Sequence, residues 1–189
     1  MAPHARVNSV SARGLLGAIA CVLLGGSGTA HAQQGAPKSQ LAIVTQHVAG
    51  AQVDVVYRRP VARSRALFGA LVPWGRLWTP SADSAARITF SAPVTVNGAM
   101  LAAGTYSLWT IPDAASWTVV FNGTSAAFHL RYPEGHDALR VKATPQQGPH
   151  VETLMFSFPT VDGDSAIMQL QWGNTIVPLT IRVVPDVSR

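Results

Sequence analysis

The sequence predicts an all-β fold, an antiparallel β-sandwich or barrel-like domain of about ten short strands. Three observations carry this. Apolar and polar residues alternate with period two along most of the chain after residue 40. Turn residues interrupt the alternation at spacings of roughly 8–12 residues. No long segment keeps a helical period, and no βαβ pattern, Gly-rich phosphate loop or internal repeat is visible.

The elements follow in order. Residues 41–48 and 52–58 read as the first two strands. In the second, Val53, Val55 and Tyr57 take one face and Asp54, Val56 and Arg58 the other. Arg59-Pro60 closes it, because proline cannot donate to a ladder. Residues 66–71 allow at most one short helix before Pro73, too short to be stable by itself. Strand character resumes at 87–91. Val94-Thr95-Val96, Asn97-Gly98 and Ala99-Met100-Leu101 form a hairpin signal, since Asn-Gly supplies the two positive φ angles of a type I′ turn. Residues 105–111 and 117–122 continue as strands across a turn at 113–116. Residues 128–132 and 138–144 read as two further short strands, and 151–158 as another. Asp162-Gly163-Asp164 is a turn. Ala166, Met168, Leu170 and Trp172 then alternate, Gly173-Asn174 reads as a second turn, and Val177, Leu179, Ile181 and Val183 form the last apolar face.

The first 32 residues read as an export signal. Arg6 and Arg13 precede an apolar run from Gly14 to Leu24, which is too short to span a bilayer. Ala30-His31-Ala32 fits the small-x-small cleavage pattern, so the exported chain is expected to start near Gln33, with 33–40 a flexible leader and 41–189 a single domain. The expected location is therefore extracytoplasmic, periplasmic or secreted. The single cysteine, Cys21, lies inside the apolar run, which continues past it, and this disfavours a lipoprotein site. Cleavage leaves no cysteine, which removes disulfides, thiolate catalysis and cysteine-ligated zinc.

The formal net charge is +5, carried by 14 basic against 9 acidic residues. Arg6 and Arg13 fall in the leader, and no long basic run exists, so nucleic acid is not an expected partner. Two clusters draw notice instead. Arg58, Arg59, Arg63 and Arg65 crowd one connection, where guanidinium forks suit an anion or pair with Asp54 and Asp83. Trp74 and Trp78 flank Arg76, an arrangement that suits stacking on a sugar or other ring, or packing beneath the connection. Trp109, Trp117 and Trp172 lie in strands and are expected in the core. The binding candidates are Arg58, Arg63, Trp74, Arg76, Trp78 and Asp83, with an anionic or glycan ligand. No cofactor is expected. His129, Glu134, His136 and Asp137 are close in sequence but mostly in a loop, and no metal is expected there. No Gly-x-Ser-x-Gly, His-Glu-x-x-His or opposed carboxylate pair supports a catalytic assignment.

Val-Asp-Val-Val-Tyr-Arg-Arg-Pro at 53–60, Leu-Phe-Gly-Ala-Leu-Val-Pro-Trp-Gly-Arg-Leu-Trp at 67–78 and Ile-Thr-Phe at 88–90 carry a resemblance. It continues through Val-Asn-Gly at 96–98, Ala-Gly-Thr-Tyr-Ser-Leu at 103–108, Ile-Pro at 111–112 and Trp-Thr-Val-Val-Phe-Asn at 117–122. In these the chain resembles the bacterial DUF2911 family of exported proteins of unknown function. The resemblance implies an extracytoplasmic, mainly β domain and no catalytic residue. It breaks where that family usually reads Arg-Thr-Gly-Ala-Asn-Glu, since this chain has Thr79-Pro80-Ser81-Ala82-Asp83-Ser84. Three roles stand at this point. One is a non-catalytic binding module for an envelope ligand or partner at 58–83. Another is an extracytoplasmic hydrolase or isomerase built on Arg76, Asp83 and His129. The third is a structural assembly module that pairs through sheet edges.

Overall fold

The computed structural model describes residues 38–185. The export signal and its cleavage site lie outside these residues. The described chain contains ten strands and no helix, and no described helix is long and apolar enough to cross a membrane. In chain order the strands are β1 (Gln40–Val48), β2 (Ala51–Arg59), β3 (Ala86–Phe90), β4 (Val94–Val96) and β5 (Ala99–Leu101). They continue with β6 (Gly104–Ile111), β7 (Trp117–Asn122), β8 (Asp137–Ala143), β9 (Gln146–Asp162) and β10 (Ser165–Val183).

Every pairing is antiparallel, and two sheets result. One runs β1-β2-β3-β6-β7-β8 and the other β5-β4-β10-β9. Their facing sides hold the core predicted by the alternation: Val53, Val55 and Tyr57 from β2 and Ile88 and Phe90 from β3 meet Leu154 and Phe156 of β9 and Leu179 and Ile181 of β10. Each such buried side chain contributes about 1.5–3 kcal/mol. The Tyr57 hydroxyl crosses the sandwich and accepts the Phe156 N–H at 3.0 Å, tying the sheets together from within.

The larger sheet also carries apolar cover on its outer side. Trp109 and Val120 are buried there under Ala85, Leu77, Ala127 and Tyr132, supplied by the connections β2–β3 and β7–β8. This explains why β6 is buried on both faces from Tyr106 to Thr110 rather than alternating.

Asn97 and Gly98 form the predicted turn, at φ 47° and 85°. Asn97 also staples that turn. Its amide donates to Lys142 O at 2.8 Å in the first sheet, and its Oδ1 accepts the Thr180 N–H at 2.8 Å in the second.

Residues 66–71 hold no helix and form tight turns closed by Val72 N–H to Leu67 O at 2.9 Å, because Gly69 at φ 86° and Pro73 end any helical path. Three sequence expectations differ from the structure. Residues 128–132 are not a strand but a turn, with Phe128 bridged to Ser84 of the β2–β3 connection and Tyr132 packed on Trp109 of β6 at 5.3 Å. The strand expected at 151–158 extends over 17 residues as β9. Gly173-Asn174 does not end a strand, since β10 runs through it for 19 residues.

What Gly173 makes is a bend. A straight strand of that length would run about 60 Å. Yet the Val183 N–H donates to Asp164 O at 2.8 Å, and Arg182 pairs with the Asp164 carboxylate. The two ends of β10 therefore meet. Register shifts against β9 at Ile167/Gln169, Gln171/Gly173 and Gly173/Thr175 supply the curvature, with Gly173 at φ 58°.

Candidate functional site

The connection 60–85 folds back onto the sandwich, with Ala62, Val72, Thr79 and Ser81 buried. Just past β2 it pairs with β9 across the open side of the sandwich. The Ala62 N–H donates to Glu152 O at 2.8 Å, the Leu154 N–H to Pro60 O at 3.0 Å, and Arg59 Nε to Leu154 O at 2.9 Å. Arg63 and Ser64 then take consecutive left-handed conformations, φ 52° and 57°. Non-glycine residues rarely hold such angles without help. The Glu152 carboxylate gives that help, accepting the backbone N–H groups of both residues and a bond from His150 Nε2 at 3.2 Å. The bond to His150, followed by those from Arg63 and Ser64, holds the Glu152 carboxyl below the ordinary glutamate range.

Beyond this clasp the chain lays Leu67 and Phe68 against the bend of β10. The Phe68 ring stands edge-to-face with Trp117 at 4.9 Å and Trp172 at 6.3 Å, and lies near-parallel to Trp74 at 6.1 Å. Trp78 stacks on Trp172 at 6.0 Å and 9°. Trp117 Nε1 is the one buried side-chain polar atom without a hydrogen-bond partner among the described residues. The aromatic faces packed around it are the acceptors left to it.

Between loop 65–74 and the bend of β10 opens a groove of about 340 Å³. Phe68, Trp74 and Trp172 make its aromatic floor. Arg65, Gln147, His150, Asn174 and Thr175 make its polar rim. Trp74 is 45% exposed and Trp172 is buried to 3%, so one ring is a wall and the other a base. The rim is held in place: Asn174 Nδ2 donates to Gly148 O at 2.9 Å, and Trp172 Nε1 donates to Glu152 O at 3.2 Å. Arg65 is pinned by Nε to Ala62 O and Nη2 to Val61 O, both 2.8 Å.

The residues singled out by sequence fall in different places. Trp74 lines the groove, and Trp78 sits behind its floor, half-buried. Arg63 contributes its backbone N–H to the Glu152 clasp and leaves its side chain exposed. Arg58 and Asp83 pair with each other at 3.7 Å on the outer side of the larger sheet, beside a separate depression lined by Leu41, Val56 and Arg87. Arg76 is exposed, with no hydrogen bond or ion pair among the described residues, next to Gly75, whose N–H donates to Pro112 O at 2.8 Å. The Ser84–Phe128 bridge sets Asp83 and His129 at opposed positions, but no contact joins either to Arg76 among the described residues.

The segment that departs from the family pattern is structural. Thr79 is buried to 1%; its hydroxyl donates to Leu108 O at 2.8 Å and accepts the Ala86 N–H at 3.0 Å. Ser81 Oγ accepts the Arg58 N–H at 2.9 Å. Among the described residues no group of three histidine, cysteine or acidic side chains could hold a metal. Asp137 is committed to Tyr132, Asn122 and Arg140. Burial raises its carboxyl, and these three bonds outweigh burial and leave it below the usual aspartate range.

Sequence reasoning missed Phe68, His150, Gln147 and Asn174 as groove residues, and Arg65 and Glu152 as its fixed rim and clasp. The available signals were weak: a glycine interrupting an alternating strand, and an acid two residues after a histidine.

The family described as protein of unknown function (DUF2911) matches this chain over residues 39–181. No curated protein and no solved structure matches it.

Proposed function

The chain belongs to the DUF2911 family, and from that premise we propose that it is an exported, non-catalytic binding module whose groove takes a saccharide. The observation that carries this reading is Trp74, a ring left 45% exposed yet held near-parallel to Phe68 at the mouth of a groove. The apolar face of a sugar ring packs on such an aromatic face, and the hydroxyls at its edge need polar partners. Gln147, Asn174, Thr175 and His150 stand around the floor as those partners. The acid–base pair beside the groove, His150 and Glu152 at 3.2 Å, has its carboxylate committed to the Arg63 and Ser64 N–H groups, which favours binding over hydrolysis. Export rests on the apolar run 14–24 and the Ala30-His31-Ala32 site.

A glycan array followed by calorimetry on the hits tests the reading. Trp74→Ala should weaken a hit by up to about tenfold, the scale of one lost stacking platform. Its melting temperature should fall by only a few degrees, from the lost stack on Phe68. If every hit binds Trp74→Ala as tightly as the parent, the groove is not the site. N-terminal sequencing of the protein recovered from the envelope or medium should begin near Gln33; an intact Met1 there would remove the export reading.

A further inference from the structure

We propose that the saccharide carries a carboxylate and that Arg65 reads it, an inference that rests on the groove reading above. Arg65 and His150 are the charged or titratable side chains that line the groove, and no carboxylate lines it. The nearest acid on the adjoining strand, Glu152, has its oxygens occupied by Arg63, Ser64 and His150. An anion entering the groove therefore meets no bare like charge.

The guanidinium is also prepared. A guanidinium carries five N–H donors. Nε and one Nη2 N–H are spent on the Ala62 and Val61 carbonyls, at 2.8 Å each. This fixes the plane of the group and leaves its Nη1/Nη2 edge unspent, the edge that takes a carboxylate in a two-bond fork. Holding the side chain in place before binding lowers the ordering entropy lost on association. The same two carbonyls belong to the segment that Glu152 clamps, since the Ala62 N–H bonds Glu152 O at 2.8 Å. Glu152 is thus a positioning residue for Arg65. A neutral sugar offers this fixed cation only hydroxyl acceptors, whereas a carboxylate matches both its charge and its two-bond geometry.

The test pairs uronate oligosaccharides with their methyl esters, which keep the ring and remove the charge, and adds sulfated glycans as a third arm. Affinities are measured by calorimetry on the whole protein. The acid should bind at least about tenfold more tightly than its ester, the scale of a charge-assisted bond. That gap should shrink as salt rises, because an exposed ion pair is screened. Arg65→Gln should abolish the gap between acid and ester, and Arg65→Lys should restore part of it. Should Arg65→Gln disturb folding, the salt titration of the unaltered protein still decides. Acid and ester binding equally, both through Trp74, would overturn the inference and leave the saccharide groove standing. Binding confined to sulfated glycans would overturn the carboxylate assignment. No binding of any arm would overturn both.

Discussion

Replacing Gly69 with alanine tests how the exposed ring is held. A Cβ there would lie 3.1 Å from Trp74 Cδ1 and Cε2, and closer still to Nε1. No alanine fits against a ring so placed, so Trp74 must leave. Being largely open to solvent, it can swing outward, losing its stack on Phe68, worth about 0.5–1.5 kcal/mol. Gly69 also sits at φ 86°, where a side chain adds about 1–2 kcal/mol of strain. The expected loss is about 1.5–3.5 kcal/mol. For a domain of this size that lowers the melting temperature by roughly 3–14 °C. Gly50→Ala supplies the control. Gly50 sits at φ 81° with nothing near its would-be Cβ, so it carries the strain without the collision. Denaturant titrations and tryptophan emission should separate the two. Gly69→Ala should lose more stability than Gly50→Ala, shift emission to the red and abolish saccharide binding; Gly50→Ala should bind normally. Equal stability losses with unchanged emission would refute the argument that Gly69 seats Trp74.

Other expectations follow from the same structure. Glu152→Gln should loosen the 63–65 turn and destabilise the protein at neutral pH. The Glu152 carboxyl is depressed in the folded state, so its contribution is present above the unfolded-state value and lost as pH falls through the folded one. Urea titrations across pH should therefore show parent and variant converging below the ordinary glutamate range; a constant difference would contradict the clasp. Thr79→Val should lose about 1–3 kcal/mol, because the Ala86 N–H loses a buried acceptor. A denaturation midpoint equal to the parent's would show that water replaces the hydroxyl. Asn97→Gly keeps the turn's φ but removes both side-chain staples, so a loss of about 1–3 kcal/mol is expected in the same assay. A neutral result would mean that the turn conformation alone selects asparagine there.

Much of the fold is legible in the sequence because its causes are local. Asn97-Gly98 dictates a turn by its φ preferences, and Val53, Val55 and Tyr57 dictate a face by alternation. Gly173 shows the limit of such reasoning. A positive-φ glycine serves a turn and a bulge equally well, and only the pairing of β9 with both halves of β10 decides between them. The site is less legible for a related reason. Trp74 is recognisable as a surface aromatic beside arginine, but its sequence neighbours Arg58, Arg76 and Asp83 do not line its groove. The structure carries the loop across to β9 through Ala62 and Glu152, so the partners come from 147–150 and 172–175. Trp172 is both core and floor, and nothing in the alternation distinguishes a buried ring with one edge in a groove from one sealed within the sheet stack.

The indole N–H resonances test the central claim most directly. The protein contains five tryptophans, each readable as one signal in a nitrogen–proton correlation spectrum and assignable by single phenylalanine replacement. Titration with the tightest saccharide from the array should move the Trp74 and Trp172 signals in a saturable way and leave Trp109, in the separate outer cluster, in place. A saccharide that saturates the protein while Trp74 and Trp172 stay still would place the ligand elsewhere and contradict the account.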